Sequence, residues 1–270
     1  MILTLENAVK NAQRGDQAAL EYVVTEVQAK VYRLALRMLW HPQDAEDATQ
    51  EILLRMVTHL ATFHGESSFF TWVYRIGANH LLRWRASRLE TQGFTFETFG
   101  RDLEEGLSDE SNQPDDALLF QEIRVGCTLG MLLCLDRPHR ISYILGEILE
   151  INNVEAAAIL GVKQSTFRKR LERARSQIVE FMKVRCGLAN PENSCRCRRR
   201  VNRAIQLKRV DRKDLLFACD ARNASEFPDV LISIRKLEET QRAVSLFRTH
   251  PECAVPDFTV AIRSLISGKE

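Results

Sequence analysis

The chain has 270 residues, of which 45% are hydrophobic and 27% are charged, a composition typical of a globular protein with room for two domains. No apolar run approaches the length of a membrane-spanning helix, and the N-terminus lacks the charged start and apolar core of a signal peptide. We therefore expect no membrane span and a cytoplasmic location. The seven cysteines are unevenly spaced, which argues against a secreted disulfide framework.

The net charge of +2 conceals a strong segregation of charge along the chain. Residues 88–116 are rich in Asp and Glu, whereas residues 163–213 are strongly basic. Such an asymmetry is more informative than the sum, because a local basic segment can bind nucleic acid even in a nearly neutral chain.

Helical spacing dominates and strand signals are almost absent, so we expect an all-α fold. We predict two small helical domains, residues 1–87 and 117–183, joined by an acidic, flexible linker at 88–116 that buries little. Residues 184–270 form a mostly helical C-terminal extension with cysteines and a basic arm. Its helices are expected at about 229–248 and 256–267.

In the first domain, Asp44 follows Pro42 and is predicted to cap a helix that reaches about Leu60. An apolar stripe on this helix should face the core and comprises Ala45, Ala48, Ile52, Met56 and Leu60. The opposite stripe comprises Asp47, Gln50, Glu51, Leu54, Arg55 and Thr58. A charged face with a central leucine is typical of a protein-docking site, but helix physics alone favours a solvated surface.

The next segment is a glycine-containing loop followed by a capped helix that is dense in aromatic and basic residues. The spacing predicts that Phe69, Trp72, Ile76 and Leu81 are mostly core. The outward positions include Tyr74, Arg75, Asn79, His80, Arg83 and Trp84. Aromatic rings interleaved with arginines suit unstacked single-stranded bases, and a bundle core with snorkelling arginines is the alternative.

Residues 153–175 read as a helix-turn-helix. Asn153 is predicted to cap a first helix over residues 154–160, Gly161 supplies the tight turn, and Ser165 is predicted to cap the second helix. Phe167 and Leu171 should face inward, and the exposed side should carry Arg168, Lys169, Glu172, Arg173 and Ser176. The alternative to DNA binding is a surface helix with a solvated basic face. The spacing and the caps favour a helix that reads the DNA major groove.

Three cysteines lie close together in the extension, at Cys186, Cys195 and Cys197. Their arginine-rich surroundings predict lowered thiol pKa values and a site for zinc or another soft metal, or for redox sensing. A fourth metal ligand would come from Cys219, His250 or Cys253. The alternative is a reduced surface loop whose arginines touch DNA or polymerase. Cys127 and Cys134 lie in an apolar helical stretch and are predicted to be small core residues.

Together, three blocks of the chain resemble the RNA polymerase sigma-70 superfamily, and in particular its two-domain, extracytoplasmic-function (ECF) type. Residues 44–55 resemble conserved region two, which docks on the clamp helices of the polymerase β′ subunit. Residues 63–79 resemble the promoter-melting and −10-reading segment. Residues 161–175 resemble region four, which reads the −35 element.

The resemblance implies a transcription initiation factor that binds bacterial core RNA polymerase and promoter DNA, requires no cofactor and catalyses no reaction. It implies polymerase contacts by Asp47, Gln50, Glu51, Leu54 and Arg55. It implies contacts at the −10 element by Phe63, His64, Gly65, Glu66, Ser67, Arg75, Asn79 and Arg83. It implies contacts at the −35 element by Ser165, Thr166, Arg168, Lys169, Glu172 and Arg173.

Two residues depart from the family pattern in the second helix. Phe167 stands where valine is common, and Glu172 adds a carboxylate that could accept a hydrogen bond from a cytosine amino group. The alternative function is a stand-alone helix-turn-helix regulator with a metal- or redox-sensing cysteine cluster. No nucleotide-binding loop, dinucleotide fingerprint, zinc-protease motif or nucleophile elbow favours an enzyme. Either an anti-sigma factor or the extension itself would control a sigma factor of this kind.

Overall fold

The computed structural model describes residues 4–91, 93–107 and 116–267. The described residues contain no β-strand and only two isolated bridges, which confirms the all-α prediction. The helices are α1 (Leu5–Gln13), α2 (Gln17–Leu39), α3 (Pro42–Thr58), α4 (Phe69–Arg83), α5 (Arg88–Thr91), α6 (Phe96–Glu104), α7 (Ala117–Leu133), α8 (Arg137–Tyr143), α9 (Asn153–Leu160), α10 (Gln164–Arg185), α11 (Cys197–Gln206), α12 (Ala221–Arg235), α13 (Glu239–Arg248) and α14 (Thr259–Ser267).

The chain folds into two compact units that are not contiguous in sequence. The first unit comprises residues 1–85, 152–167 and 255–270, and the second comprises residues 86–151 and 168–254. The predicted boundaries at 87, 116 and 183 describe functional parts rather than these packing units, and they stay a prediction.

In the first unit, α2 is the central helix and packs against α1, α3 and α4. Val27 of α2, Ile52 of α3 and Leu81 of α4 are fully buried among these helices. Gly77 of α4 faces Leu34 of α2, and a Cβ at this position would make an ordinary van der Waals contact with the Leu34 side chain at 3.5 Å. Helix α9 packs on α4, and α14 packs on α2 and α3.

In the second unit, α7 is the central helix, and α8, α11, α12 and α13 pack against it. The C-terminal end of α7 is closed by Arg140, which is 1% exposed and donates hydrogen bonds to the carbonyl oxygens of Leu132 and Leu135, each at 2.9 Å. Glu122 of α7 is also buried and accepts backbone N–H bonds from Leu216, Phe217 and Ala218. Arg140 therefore caps the end of the central helix, and Glu122 ties the distant 216–218 loop to it.

Residues 93–107 do not behave as the predicted linker. Phe99 and Leu103 of α6 are 7% and 6% exposed, and the Phe99 ring stacks on Phe181 of α10 with centroids 5.6 Å apart. The expectation that this stretch buries little is wrong, because an apolar stripe on α6 gives the acidic segment a face to pack. The rest of the predicted linker, at residue 92 and residues 108–115, lies outside the described residues.

Three predicted caps, Asp44, Asn153 and Ser165, are also wrong, because each lies inside its helix. His41, not Asp44, caps α3, because Pro42 occupies the first helical position. Asn152, not Asn153, caps α9, and Ser165 lies inside α10 rather than before it. Gly161 does adopt the predicted left-handed conformation, with φ of 63°.

The helix predicted at 229–248 is in fact two helices. Helix α12 ends at Arg235, and α13 begins at Glu239. Arg242, in the first turn of α13, reaches back and donates to the carbonyl oxygens of Arg235 and Leu237, both at 3.0 Å. The guanidinium thereby supplies donors for carbonyl groups that a helix end leaves without intrahelical partners.

Candidate functional site: a groove between α3 and α4

An open groove of about 900 Å³ lies between α3 and α4. Five residues of α3 line it: Asp47, Gln50, Glu51, Leu54 and Arg55. These are all five of the residues predicted to contact polymerase. Their spacing places them along one stripe of the helix, while Ala48, Ile52 and Met56 on the opposite side are fully buried.

The other wall of the groove comes from α4 and the residues after it. It comprises Trp72, Ile76, Asn79, His80, Arg83, Trp84 and Arg85. Trp72, Ile76, Asn79 and Arg83 recur at three- and four-residue intervals, so they share one face of α4. The groove therefore joins the predicted polymerase face to two of the residues predicted to contact the −10 element, Asn79 and Arg83.

The two walls differ in charge, although Arg55 adds one cation to the acidic residues of the α3 wall. Asp47 and Glu51 lie on the α3 side, and Arg83 and Arg85 lie on the α4 side. Arg85 forms an ion pair with Asp44 at 2.9 Å. Burial lowers the pKa of His80, and Arg55 lowers it further, against the opposing effect of Glu51. We infer a neutral imidazole at neutral pH, so the basic character of this wall comes from its arginines.

The predicted −10 loop lies outside the lining of the groove. Phe63 is partly buried, and its ring lies 5.3 Å from Phe69 and 5.5 Å from Trp72, centroid to centroid. Gln13 donates to the Phe63 carbonyl at 2.8 Å and anchors the start of the loop. The rest of the loop is exposed, and so is Arg75 of α4; the exposed loop residues are His64, Gly65, Glu66 and Ser67.

The predicted −35 residues belong to both units, with Ser165 and Thr166 in the first and Arg168, Lys169, Glu172 and Arg173 in the second. In the first unit, Ser165 is exposed, Thr166 is partly exposed and Phe167 is fully buried, as its spacing predicted. In the second unit, Leu171 is 7% exposed, and four charged side chains of α10 are exposed on the other side. They are Arg168, Lys169, Glu172 and Arg173.

The extension cysteines differ from their predicted chemistry. Burial raises the pKa of Cys186 and Cys197 and raises the pKa of Cys195 to about 11, although Arg196 and Arg200 act in the opposite direction on Cys195. The prediction of lowered thiol pKa values is therefore wrong. The arginines that prompted it are held by the protein: Arg196 donates to the carbonyl oxygen of Cys195 at 3.1 Å, and Arg200 pairs with Asp102 at 3.2 Å.

The three residues predicted as a possible fourth metal ligand, Cys219, His250 and Cys253, make other interactions. Cys219 and Cys253 form a disulfide bond with each other, which the cysteine spacing did not predict. His250 Nε2 lies 2.7 Å from the hydroxyl of Thr128. Across the described ranges, no group of three or more His, Cys, Asp or Glu side chains is arranged closely enough to hold a metal ion. No helix in the same ranges is long and apolar enough to cross a membrane.

Comparisons with known proteins identify the family. The profile of sigma-70 region 2 matches residues 23–91, which include both walls of the groove. The ECF RNA polymerase sigma factor SigW of Bacillus subtilis (strain 168) is 27% identical over 183 residues, which cover 66% of this chain and 96% of the relative. The ECF sigma-E factor of Escherichia coli (strain K12) is 29% identical over 182 residues, which cover 65% and 93%.

The match to region 2 and the two curated relatives support an ECF sigma factor of the sigma-70 family. The chain is a transcription initiation factor. Among solved structures, this sigma factor is similar to CnrH, whose structure was determined in complex with the cytosolic domain of CnrY. That similarity has a TM-score of 0.46 and 21% identity, and it covers 65% of this chain and 95% of that one. The stand-alone regulator is not favoured.

Several residues of the groove were not assigned to a site from the sequence. Trp72 and Ile76 were predicted as core but are only partly buried and line the groove, and His59 and Arg85 were not singled out. The sequence did contain a signal for this face of the groove, because the spacing of Trp72, Ile76 and Asn79 places them on one face of α4 with Arg83. Periodicity defines such a face, but it does not show that α3 stops short of covering it.

Proposed function

We propose that this sigma factor binds bacterial core RNA polymerase through the α3 wall of the groove and engages promoter DNA through α4, the 63–67 loop and α10. The observation that carries the proposal is the groove itself, since all five predicted polymerase-contacting residues line it together with Asn79 and Arg83. In this proposal the α3 wall receives the β′ clamp helices. Leu54 is the apolar centre of that contact, and Asp47, Glu51 and Arg55 form its polar rim.

On the α4 side, we propose that Arg83 contacts phosphates and that Asn79 contacts a base or sugar at the −10 element. The exposed loop of His64, Gly65, Glu66 and Ser67, together with Phe63, would receive an extruded base. Gly65, with φ of 78°, allows the loop its tight turn. Such trapping would offset an unpairing cost of a few kcal/mol. Arg75 would add a further backbone contact.

For the −35 element, we propose that the exposed face of α10 enters the major groove. Arg168, Lys169 and Arg173 would supply phosphate or base contacts, while Glu172 would accept from a cytosine amino group. Ser165 and Thr166 lie in the first turn of α10, where backbone N–H groups and hydroxyls suit phosphate oxygens. No catalytic group and no cofactor has a part in this activity, and the proposal places the protein with its polymerase in the cytoplasm.

The test is binding to bacterial core RNA polymerase in a pull-down with the full-length chain. Leu54→Asp should weaken binding at least tenfold, because it places an unpaired carboxylate at the centre of the contact. Leu237→Asp is a matched control, since Leu237 is also partly exposed but lies outside the groove. Equal binding by the wild type and Leu54→Asp would contradict the assignment of this wall.

Control of the activity has two proposed forms, a separate anti-sigma factor and the extension acting in cis. One observation favours the second form. Phe258, at the start of the last helix, donates its backbone N–H to Gln28 at 2.9 Å, and its ring lies 6.4 Å from that of Tyr32, centroid to centroid. The end of the extension is thus attached to α2 within the first unit. Higher transcription by Phe258→Ala than by the wild type, without any added protein, would support control in cis.

A further inference from the structure

The disulfide bond of the extension lies at the surface of the second unit. Cys219 is exposed and Cys253 is partly exposed, and the bond joins two segments that are distant in sequence. Cys219 directly precedes Asp220, the N-cap of α12, and Cys253 lies in the irregular segment between α13 and α14. Exposed disulfides are reached by soluble thiols, and they are more often labile or regulatory than buried structural ones.

Contacts that do not involve the disulfide hold the Cys219 segment on α7. The buried carboxylate of Glu122 accepts the backbone N–H bonds of residues 216–218, at 3.0, 2.7 and 2.9 Å. Phe217 is 6% exposed, and its ring lies so close to Gly126 of α7 that a Cβ there would meet it at 3.3 Å. The residue before Cys219 is therefore held by the fold whether the disulfide is closed or open.

Helix α7 also holds the segment that leads to Cys253. Arg124 is 2% exposed and donates to the hydroxyl and to the carbonyl oxygen of Thr249, both at 3.2 Å. His250 Nε2 lies 2.7 Å from the hydroxyl of Thr128, which is 4% exposed. One helix therefore positions both cysteines through separate contacts, and the two thiols stay within reach of each other when the bond is open.

We propose that Cys219 and Cys253 form a reversible thiol–disulfide exchange site, whose substrates are low-molecular-weight thiols of the glutathione class and their disulfides. Two thiols that the fold holds side by side have a high effective concentration towards each other. The bond can therefore open and close in the folded protein. Its exposed sulfur gives the small thiol access, and the contacts on α7 return the two cysteines to each other.

The exchange is balanced in atoms and electrons. A reductant thiolate attacks the sulfur of the more exposed Cys219, the S–S bond breaks, and Cys253 leaves as a thiolate that takes a proton from solvent. A second reductant thiolate attacks the reductant sulfur of the mixed disulfide and releases Cys219, which is protonated in turn. Two electrons pass from the reductant, which leaves as its own disulfide, to the protein. Closing reverses these steps, with the small disulfide as the oxidant.

The state of the bond sets the length of the connector that leads to α14. When the bond is closed, residues 254–257 separate Cys253 from Phe258, which is docked on α2. When the bond is open, His250 is the nearest residue held on α7, and the connector grows to residues 251–257. A longer connector lowers the effective concentration of α14 at its docking site on α2.

Redox state would thereby act on the control in cis proposed above. This consequence rests on the proposed function, and so does the expectation that the protein meets a pool of reduced thiols beside RNA polymerase. The exchange itself requires only the purified chain. A failure of exchange is therefore distinguishable from a failure of sigma activity.

The experiment equilibrates the full-length chain with reduced and oxidised glutathione at a series of ratios. Free thiols are trapped with an alkylating reagent, and peptide mass spectrometry quantifies the alkylation of Cys219 and Cys253. We expect both thiols to titrate together, at the same ratio from either starting state, while the circular dichroism stays native. Resistance to reduction until the protein is denatured would overturn the proposal. Reoxidation that pairs either residue with another cysteine of the chain would also overturn it.

Thr128→Val tests the positioning by α7. It removes the hydroxyl that meets His250, so the midpoint ratio should move about threefold toward the reduced form, the effect of one ordinary hydrogen bond. Thr25→Val is the matched control, because the Thr25 hydroxyl donates to the Glu21 carbonyl on an exposed face of α2. An unchanged midpoint in Thr128→Val, or an equal shift in both variants, would contradict the role of α7.

Amide hydrogen exchange in residues 259–264 tests the connector. Exchange should be about twofold faster in the reduced than in the oxidised wild type, because effective concentration falls with about the 3/2 power of connector length. Cys219→Ser should exchange at the faster rate with or without reductant. Equal rates in the two states of the wild type would overturn the effect on α14.

Discussion

Thr71 of α4 donates a hydrogen bond from its hydroxyl to the carboxylate of Glu155 on α9, 84 residues further along the chain. The same Thr71 hydroxyl lies 2.6 Å from the hydroxyl of Ser68, the N-cap of α4. Thr71 is 4% exposed. The first turn of the proposed −10-binding helix is therefore packed against the first helix of the predicted helix-turn-helix.

Replacing Glu155 with alanine should loosen this contact. A hydrogen bond to a charged group contributes about 1.5–3 kcal/mol, and partial exposure reduces that to about 1 kcal/mol here. Amide hydrogen exchange in residues 69–75 should accelerate about fivefold. Val154→Ala is the control, because Val154 lies on the same helix but is 67% exposed. Unchanged exchange in Glu155→Ala would mean that α9 does not protect the start of α4 in solution.

Phe258 is one of the buried side chains that attach the C-terminal helix, together with Ile262. Phe258 is 5% exposed, whereas Val260, two residues later, is 61% exposed. Phe258→Ala should release α14, because losing a buried phenylalanine costs about 3–5 kcal/mol in a well-packed site. Tryptic cleavage after Arg263 should then be more than tenfold faster than in the wild type. Val260→Ala should be cleaved at the wild-type rate, and equal rates for both variants would contradict the docking of this helix.

A buried carboxylate should make the stability of the second unit depend on acid pH. Glu90 forms hydrogen bonds with Arg137 at 2.9 and 3.1 Å and an ion pair with Arg140 at 2.9 Å. Burial raises its pKa, but the hydrogen bonds from Arg137 and the nearby Arg140 outweigh burial and lower the pKa from 4.5 to about 2. The stabilisation is complete above pH 4.5 and is lost as the pH falls toward 2.

Glu90→Gln should therefore lower the free energy of unfolding by about 3 kcal/mol at pH 7 and flatten its dependence on pH below 4.5. Urea unfolding between pH 3 and pH 7 measures both effects. Glu97→Gln provides the comparison, since the Glu97 side chain is 83% exposed and pairs with Arg101 one turn away. A Glu90 variant that retains the wild-type acid dependence would show that this group is not the one that titrates.

The disulfide bond between Cys219 and Cys253 closes a loop with a sequence separation of 34. Restricting the unfolded chain across such a loop contributes about 3–4 kcal/mol. Reductant should therefore lower the melting temperature of the wild type, whereas Cys219→Ser should melt at the lower temperature with or without reductant. Cys134→Ser should keep the response to reductant, and a wild type that shows none would contradict the bond.

The sequence was sufficient for the helical class and for the faces of the individual helices. Periodicity correctly placed Ile52 and Met56 inside and Leu54 on the open side of α3. The caps were misplaced because several polar residues compete at each helix start, and local rules do not decide between neighbours such as Asn152 and Asn153. The break after Arg235 was missed because the polar residues around it fit a helix as well as a turn.

The relationships that depend on long-range packing could not be predicted. Glu90 with Arg140, Glu122 with the 216–218 loop, and Cys219 with Cys253 each join residues that are distant in sequence. The burial that raises the pKa values of the extension thiols could not be predicted either. The local sequence shows only the arginines beside these cysteines, and those arginines suggest lowered pKa values.

Run-off transcription with bacterial core RNA polymerase tests the central claim most directly. The template carries the DNA upstream of the gene for this sigma factor, and the full-length chain is compared with Leu54→Asp, Asn79→Ala and the control Leu237→Asp. We predict discrete transcripts with the wild type and the control, and at least tenfold less with either groove variant. Transcripts that persist at the wild-type level in both groove variants would contradict the assignment of the α3–α4 groove to polymerase and promoter DNA.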